Sequence, residues 1–279
     1  MASDERAAMI ENIEMDLFLL GLERAFGLEF GDAPRRTVRQ AILDQVRAEQ
    51  AVSVTALLDR ALHDTDCGQR IAASVLRDTF ELFACPPFFR ALHSQVIPWL
   101  RTCPFVNVWV SEPPSPGDVY ALAILLSEAA LYARTRIYVT YRDATRLRWS
   151  REAVVSARAL ELSAPRYRLA GGIGSLGHYF EAHDADELAP AAQLRANVVW
   201  SQYDIGSGAP FHEFNLIVCR SDARYSFQSA KRRTVHLLLT DSLALFGILA
   251  LAPHQPPDRA FANRYRLLDA EAGLYQRVR

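Results

Sequence analysis

Apolar residues in the first third of the chain recur at the three- and four-residue spacing that is typical of helices. This spacing runs from Glu11 to about Leu100. One of the predicted helices carries Leu17, Leu20, Leu22 and Phe26. Glycines and prolines interrupt the pattern at intervals, and no alternating pattern typical of a strand intervenes. The pattern therefore predicts a helical domain in this third of the chain.

After Pro104 the pattern changes, because short runs of β-branched and aromatic residues alternate with helical stretches. Strands are predicted at 105–111, 136–141, 197–203, 214–219 and 246–252, with a closing antiparallel hairpin at 265–268 and 274–278. Helices are predicted at 119–132, 149–160, 188–194 and 230–243. This order is typical of a Rossmann-like α/β domain, whose ligand cleft lies beyond the carboxyl ends of its first strands. Residues 165–196 receive no confident assignment.

Composition and charge narrow the class of protein. With 279 residues that are 50% hydrophobic, the chain can bury a sizeable core, which excludes a disordered protein. Its 31 basic and 32 acidic residues give a net charge of −1, which excludes a general nucleic-acid binder. The four cysteines are far apart and indicate neither a zinc site nor a disulfide framework. No apolar run approaches the ~18 residues of a membrane span, and the expected location is cytoplasmic.

Several short motifs carry a resemblance to a known family. They are V-N-V-W-V-S at 106–111, Y-A-L-A at 120–123, F-N-L-I-V-C-R at 214–220 and G-L-Y at 273–275. In their order and spacing they resemble the CheR-type chemoreceptor glutamate methyltransferases, from about residue 10 to the end. The resemblance implies a helical N-terminal domain at 10–100 and a Rossmann-like domain at 101–279. It also implies the type of domain that binds S-adenosylmethionine.

The loop after the first strand departs from the family pattern. Where the family has S-A-G-C-S-T-G-E-E-P-Y-S-L-A, this chain has S-E-P-P-S-P-G-D-V-Y at 111–120. Glycines let a backbone approach a cofactor, whereas prolines fix φ and remove backbone donors. We expect a stiff loop of a different shape, in which only Gly117, Asp118 and Tyr120 match the family.

Three further positions depart from the family's motifs. The family's T-D-I-D places a carboxylate at the cofactor ribose, but Tyr141 stands here in T-Y-R-D. The family's N-E-T-x-F-F-R ends in an arginine at the reaction centre, and this position is Ala84. The asparagine after C-R becomes Ser221. The family's H-N-L resembles Tyr203-Asp204-Ile205, in which Asp204 could accept a hydrogen bond from a purine amine.

These departures together favour a non-catalytic regulatory or signalling module on a CheR-like scaffold, with no catalytic residue and no confidently assigned cofactor. The alternative is an active S-adenosylmethionine-dependent protein-glutamate O-methyltransferase of a chemosensory system. In that case Gly117, Asp118, Asp143 and Asp204 would retain the cleft. A third possibility is a structural protein with an empty cleft. A signalling protein is the expected partner in the regulatory interpretation.

The changes near the second strand suggest what the cleft binds instead. Arginine side chains bind phosphate through paired hydrogen bonds, and a tyrosine offers a ring on which a base can stack. Tyr141, Arg142 and Arg146 therefore predict a phosphate-bearing nucleotide, such as a cyclic dinucleotide (c-di-GMP). The alternative is a solvated helix face in which these arginines pair with Asp143 and Glu152.

The full set of candidate ligand-binding residues comprises Ser111, Gly117, Asp118, Tyr120, Tyr141, Arg142, Asp143, Arg146, Asp204, Arg220 and Ser221. A separate motif, G-x-G-x-x-G at 172–177, resembles a dinucleotide fingerprint, but such a fingerprint needs a buried strand before it. Arg166, Arg168 and Pro165 make a poor strand there. We therefore predict a loop, or the edge of the small peptide-docking subdomain that the CheR resemblance implies for this region.

Overall fold

The computed structural model describes residues 2–26, 35–78, 80–184, 186–206, 208–210, 213–220, 229–253 and 255–279. The helices in these residues are α1 (Ala2–Phe26), α2 (Arg35–Ala48), α3 (Val54–His63), α4 (Thr65–Asp78), α5 (Pro86–Ala91), α6 (Ile97–Leu100), α7 (Pro116–Glu128), α8 (Ala144–Arg151), α9 (Ala157–Leu169), α10 (Ala192–Arg195) and α11 (Ser229–Ser242). The strands are β1 (Val106–Ser111), β2 (Thr135–Tyr141), β3 (Val155–Ser156), β4 (Phe180–Asp184), β5 (Glu187–Pro190), β6 (Val198–Gln202), β7 (Phe214–Cys219), β8 (Leu243–Leu251), β9 (Tyr265–Asp269) and β10 (Leu274–Arg277).

The first four helices pack around a core of their own. Its fully or nearly fully buried side chains include Phe18, Leu22, Val38, Ile42, Leu57, Ile71 and Val75. Ser53 begins α3, because its side chain accepts a hydrogen bond from the Ala56 N–H at 3.1 Å and satisfies a donor that the helix leaves unpaired. The helical first third predicted from the apolar spacing is confirmed.

A seven-stranded sheet forms the rest of the molecule. Its strand order is β6-β2-β1-β7-β8-β10-β9, in which the first five strands are parallel and β10 is antiparallel to both of its neighbours. The predicted Rossmann-like fold and the antiparallel C-terminal hairpin are therefore confirmed. Gly273 closes the hairpin with φ +68°, and a Cβ there would lie 2.1 Å from the Leu251 carbonyl oxygen.

The centre of the sheet is buried on both faces, as the apolar runs of its strands require. Helix α7 covers one face and is itself buried from Val119 to Leu126. Its sequence is apolar all round because protein surrounds it on every side. The core around α7 also takes in side chains from Phe80 to Leu100, so the α5–α6 segment packs with the sheet although it precedes the domain boundary predicted near residue 100.

Two predicted helices were wrong. The stretch 149–160 is the end of α8, the two-residue strand β3 and the start of α9, where Ser156 caps the helix through the Ala159 N–H at 3.1 Å. The stretch 188–194 is most of β5 followed by the short α10. Strands this short carry too few residues for an alternating pattern to be distinguished from a helical one.

The region that the sequence left unassigned contains β4 and β5, which join β3 in a small antiparallel sheet of order β3-β5-β4. The G-x-G-x-x-G motif lies between α9 and β4 and follows a helix, so the prediction that it forms a loop is confirmed. Gly172 packs against the Tyr167 ring, and the Gly174 N–H donates to the Tyr167 hydroxyl at 2.7 Å. Gly172 and Gly174 therefore serve close packing on Tyr167.

No helix in the described part of the chain is long and apolar enough to cross a membrane.

The first turn of α7 contacts the backbone at Glu81, in the segment that follows α4. The Ser115 side chain accepts hydrogen bonds from the Gly117 N–H at 3.1 Å and from the Glu81 N–H at 3.2 Å. At Gly117 an added Cβ would lie only 2.1 Å from the Glu81 carbonyl oxygen. A glycine at this position is thus required by contact between two backbone segments of the protein.

We expect Gly117→Ala to lower the free energy of unfolding by about 1–3 kcal/mol, the usual cost of overpacking. Gly177→Ala is the matched control, because the nearest atom to a Cβ there is the Ser175 side-chain oxygen at 3.7 Å. Urea unfolding followed by circular dichroism measures both changes. Equal losses in the two variants would contradict the close approach of α7 to Glu81.

Candidate functional site

The cleft predicted from the strand order lies at the carboxyl ends of β1, β2 and β7. The chain leaves β1 toward β2 on one side, whereas β7 pairs with β1 on the other side. This reversal of strand order is where open α/β sheets bind ligands. The loop after β1 and the loop after β2 meet here, so their side chains decide what the cleft can hold.

Glu112 ties the ends of the first two strands together. It is 3% exposed and has φ +50°, a left-handed conformation that is uncommon for a residue other than glycine. Its N–H donates to the Thr140 carbonyl at 2.8 Å, and its carboxylate accepts from the Arg142 N–H at 2.6 Å. The side chain of Glu112 thus bonds to the backbone immediately after β2, where the family pattern places its ribose-binding acid.

Tyr141 and Arg146 close the same end of the cleft through a single carbonyl group. Tyr141 is fully buried, and its hydroxyl donates to the Pro113 carbonyl at 3.1 Å. Arg146 is 6% exposed; its guanidinium donates to the same carbonyl at 3.2 Å and to that of Pro114 at 3.3 Å. The Arg146 guanidinium carbon also lies 5.2 Å from the centre of the Tyr141 ring, which stacks parallel to Trp200.

This geometry shows where the proposed nucleotide-binding side chains lie. The Tyr141 ring and the Arg146 guanidinium are in contact with protein atoms inside the loop after β1. Arg142 is exposed, and its carbonyl accepts from the Gln202 side chain at 3.0 Å. Of the three residues, Arg142 alone presents its side chain at the surface, so the structure does not bring the three together around a free space.

The two carboxylates predicted at the edge of the cleft hold local backbone. Asp143 caps α8 by accepting from the Arg146 N–H at 2.7 Å. Asp204 is exposed and accepts from the Gly206 N–H at 2.8 Å in a turn after β6. Each carboxylate thus has a structural role, at a helix start or in a turn, that accounts for an acidic residue there whether or not a ligand binds.

Ser111, Asp118 and Arg220 surround the space that is left. With Cys85 and Phe88, among others, they line a cavity of about 40 Å³. The Ser111 hydroxyl is buried and has no hydrogen-bond partner in the described part of the chain. Burial raises the pKa of the partly buried Asp118 carboxyl to about 7; the Arg220 guanidinium opposes this rise and Glu81 adds to it.

Arg220 links this cavity to the two flanking parts of the molecule. Its guanidinium donates to the Ala272 carbonyl at 2.7 Å, and its central carbon lies 3.9 Å from the centre of the Phe88 ring. Tyr120 is buried beside the cleft, stacked on Phe80 with ring centres 6.1 Å apart. Both predicted residues therefore stabilise the junction between helical segment, sheet and C-terminal hairpin.

Two positions taken from the family comparison and two residues that were not predicted as part of the site remain to be placed. Ser221 lies outside the described residues. Ala84, at the position of the family's reaction-centre arginine, is exposed. The bonding roles of Glu112 and Pro113 were not predicted; an acidic residue and two prolines directly after a buried strand are the signal that could have indicated them.

The described residues at the ends of β1 and β7 enclose too little space for S-adenosylmethionine; residues 221–228, which follow Arg220, lie outside the described part of the chain. Sites for small molecules and cofactors occupy about 300–1,000 Å³, whereas the cavity at the ends of β1 and β7 measures about 40 Å³. A space of that size holds a water molecule or two. The family's ribose-binding acid is replaced by Tyr141, whose hydroxyl bonds to Pro113, and the nearby Glu112 and Asp143 carboxylates accept hydrogen bonds from backbone N–H groups.

Comparison with known proteins places the chain beside the methyltransferases. No family model matches it. Cher3 of Pseudomonas putida KT2440, described as a candidate methyltransferase, is 28% identical over 258 residues, which cover 92% of this chain and 94% of Cher3. This match over nearly the full length confirms the resemblance to CheR-type methyltransferases.

Solved structures show weaker similarity. The N-methyltransferase NodS of Bradyrhizobium japonicum WM9 has 14% identity and a TM-score of 0.33, covering 69% of this chain and 98% of NodS. NodS is also known in complex with S-adenosyl-L-homocysteine. An O-methyltransferase family protein of Burkholderia thailandensis has 9% identity and a TM-score of 0.37, covering 80% of this chain and 55% of that protein. The fold assignment depends on the strand order and not on these similarities.

The raised pKa of Asp118 predicts a specific dependence of stability on pH. Because the folded value, about 7, exceeds the ordinary value of 3.8, the unfolded chain loses this proton first as pH rises. The free energy of unfolding should therefore fall between about pH 4 and pH 7. One pKa unit corresponds to about 1.4 kcal/mol; since Asp118 is partly exposed, we expect a loss of about 1–2 kcal/mol.

Asp118→Asn should remove this part of the pH dependence, as measured by urea unfolding at pH 4.5 and pH 8. Asp66→Asn is the control, because Asp66 also lies in the first turn of a helix but is exposed. If the Asp118→Asn and Asp66→Asn variants keep the same pH profile as the unaltered protein, the carboxyl of Asp118 is not held protonated.

Proposed function

We propose that this chain, which resembles the CheR-type methyltransferases over nearly its whole length, is a non-catalytic regulatory or signalling module that acts through a protein partner. The methyltransferase scaffold itself follows from the strand order and the match to Cher3. On this proposal the chain keeps the folded scaffold but has lost the cleft that binds the methyl donor.

One observation carries the proposal: the Pro113 carbonyl accepts hydrogen bonds from both Tyr141 and Arg146. These contacts hold the loop after β1 against the end of β2, in the space where the fold would place the donor's ribose. Opening that space would break these hydrogen bonds of a buried guanidinium and a buried hydroxyl. A buried polar group that loses its partner costs about 1–3 kcal/mol, and a charged group costs more.

The other residues of the cleft support the same conclusion. Glu112 bonds to the Arg142 N–H, Asp143 caps α8 and Gly117 packs on Glu81, so each has a role inside the protein. Ala84 offers no side-chain donor where the family pattern has an arginine. Binding and chemistry would therefore both require groups that the described residues do not supply.

The active-enzyme alternative keeps the support of the Cher3 match, because Cher3 is described as a methyltransferase. It requires the loop at 112–114 to move away from Tyr141 when the donor binds. The nucleotide alternative requires the same movement to free Tyr141 and Arg146. A protein partner requires no such opening, and for this reason we prefer it.

Calorimetric titration with S-adenosylhomocysteine tests the proposal, since a methyltransferase must bind its donor and commonly binds the demethylated product at the same site. We expect neither heat of binding nor a rise in melting temperature, although a ligand at 100 times its Kd would stabilise the folded state by about 2.7 kcal/mol. NodS, known in complex with this compound, is the positive control. Saturable binding would refute the closed cleft and restore the enzyme.

The same titration with c-di-GMP separates the nucleotide alternative. If the unaltered protein binds it and Arg142→Gln weakens that binding while Arg151→Gln does not, the cleft serves a nucleotide. Both arginines are exposed and lie near one another in sequence, so the pair controls for a general loss of positive charge. If neither S-adenosylhomocysteine nor c-di-GMP gives a heat of binding, the result supports the protein-partner proposal.

A further inference from the structure

A second and larger cavity lies away from the closed cleft, between the helical domain and the second domain. It measures about 490 Å³, within the range of small-molecule sites. Helix α2 forms one wall and α9 forms the other, with the segment at Phe80 and Glu81 between them. We call this space the α2–α9 groove. Junctions between domains are a common place for ligand sites.

Helix α9 presents one continuous face to the groove. Leu162, Ser163 and Arg166 lie three, four and seven residues after Ala159, so all four share one face of the helix. Arg158 directly precedes them. Leu162 has an exposed fraction of 62%, which is large for a leucine, and Ala159 beside it is half-buried. The α9 wall thus offers apolar surface that the protein itself does not cover.

The charges in the groove are unequally paired. The Arg166 guanidinium lies 3.3 Å from the Glu81 carboxylate, and Glu81 is nearly fully buried. Asp44 accepts hydrogen bonds from Gln40 at 3.0 Å and from Arg47 at 2.9 Å. Within the described chain Arg158 makes no hydrogen bond or ion pair. The guanidinium of Arg158 therefore remains unpaired among the described residues, whereas the other charged side chains that line the groove have partners of opposite charge.

We propose that the α2–α9 groove binds a small amphipathic anion. The carboxylate or phosphate group of this ligand pairs with Arg158, and its apolar body lies on Ala159 and Leu162. An arginine fork suits both kinds of anion. A cationic ligand would gain nothing at Arg158, because like charges repel, and the two acidic groups of the groove already have cationic partners.

This inference does not depend on the closed cleft, because the two spaces share no lining residue. A groove ligand would contact α2 of the helical domain and α9 of the second domain at once. Its binding would therefore stabilise the contact between the two parts of the molecule, as a regulatory ligand can do.

Displacement of the fluorescent anion 1-anilinonaphthalene-8-sulfonate tests the inference. Octyl phosphate and octanoate should displace the probe from the full-length protein, whereas octylammonium of equal chain length should not. Arg158→Gln should weaken the displacing anion at least 10-fold, which corresponds to about 1.4 kcal/mol. Comparison of octyl phosphate with octanoate identifies which anionic group the site prefers.

Arg168→Gln is the matched control, since Arg168 is exposed on the same helix but does not line the groove. Leu162→Ser gives an independent variant, which should weaken octyl anions without changing the charge. Circular dichroism confirms that each variant is folded. Equal affinities for Arg158→Gln and Arg168→Gln, displacement by octylammonium, or no displacement by either anion would each overturn the inference.

If S-adenosylhomocysteine binds the unaltered protein and Arg158→Gln equally well, the closed cleft is refuted and the groove inference stands. If neither S-adenosylhomocysteine nor the octyl anions bind the unaltered protein, the groove inference is refuted and the closed cleft stands. The two proposals can therefore fail separately.

Discussion

The Pro113 carbonyl is the acceptor on which the arrangement of the cleft depends. Tyr141 from the end of β2 and Arg146 from α8 both donate to it, and both are buried. A buried guanidinium needs its hydrogen bonds satisfied, because an unpaired buried charge is very costly. Moving the loop after β1 away from the end of β2 would therefore break these buried hydrogen bonds. The contacts make this loop part of the packed interior of the protein.

Other direct contacts join the same parts of the scaffold. Ser115 and Gly117 join α7 to the segment at Glu81, while Arg220 joins β7 to the C-terminal turn and to Phe88. Hydrogen bonds and close packing therefore connect the helical segment, the sheet and the C-terminal turn directly.

The larger cavity lies at the junction of the two parts of the molecule. The helical domain has its own core; α4 contacts β3 of the second domain, and α2, Glu81 and α9 line the groove. The buried Glu81 carboxylate pairs there with the half-buried Arg166 guanidinium, 3.3 Å between charged atoms. Removing Arg166 would leave the buried Glu81 carboxylate without this cation, which is costly. A ligand beside it would act on how the two parts meet.

The sequence by itself determined the helical first third, the five parallel strands and the closing hairpin, because apolar periodicity reports which faces must be buried. It also indicated the altered loop, since three prolines cannot form a glycine turn. Only the tertiary structure decided that β3 and β5 are strands, because such short strands are defined by their pairing partners. It alone placed Tyr141 and Arg146 on one carbonyl of the loop. Residues 28 and 33 positions apart in sequence meet there, and no local pattern encodes such a contact.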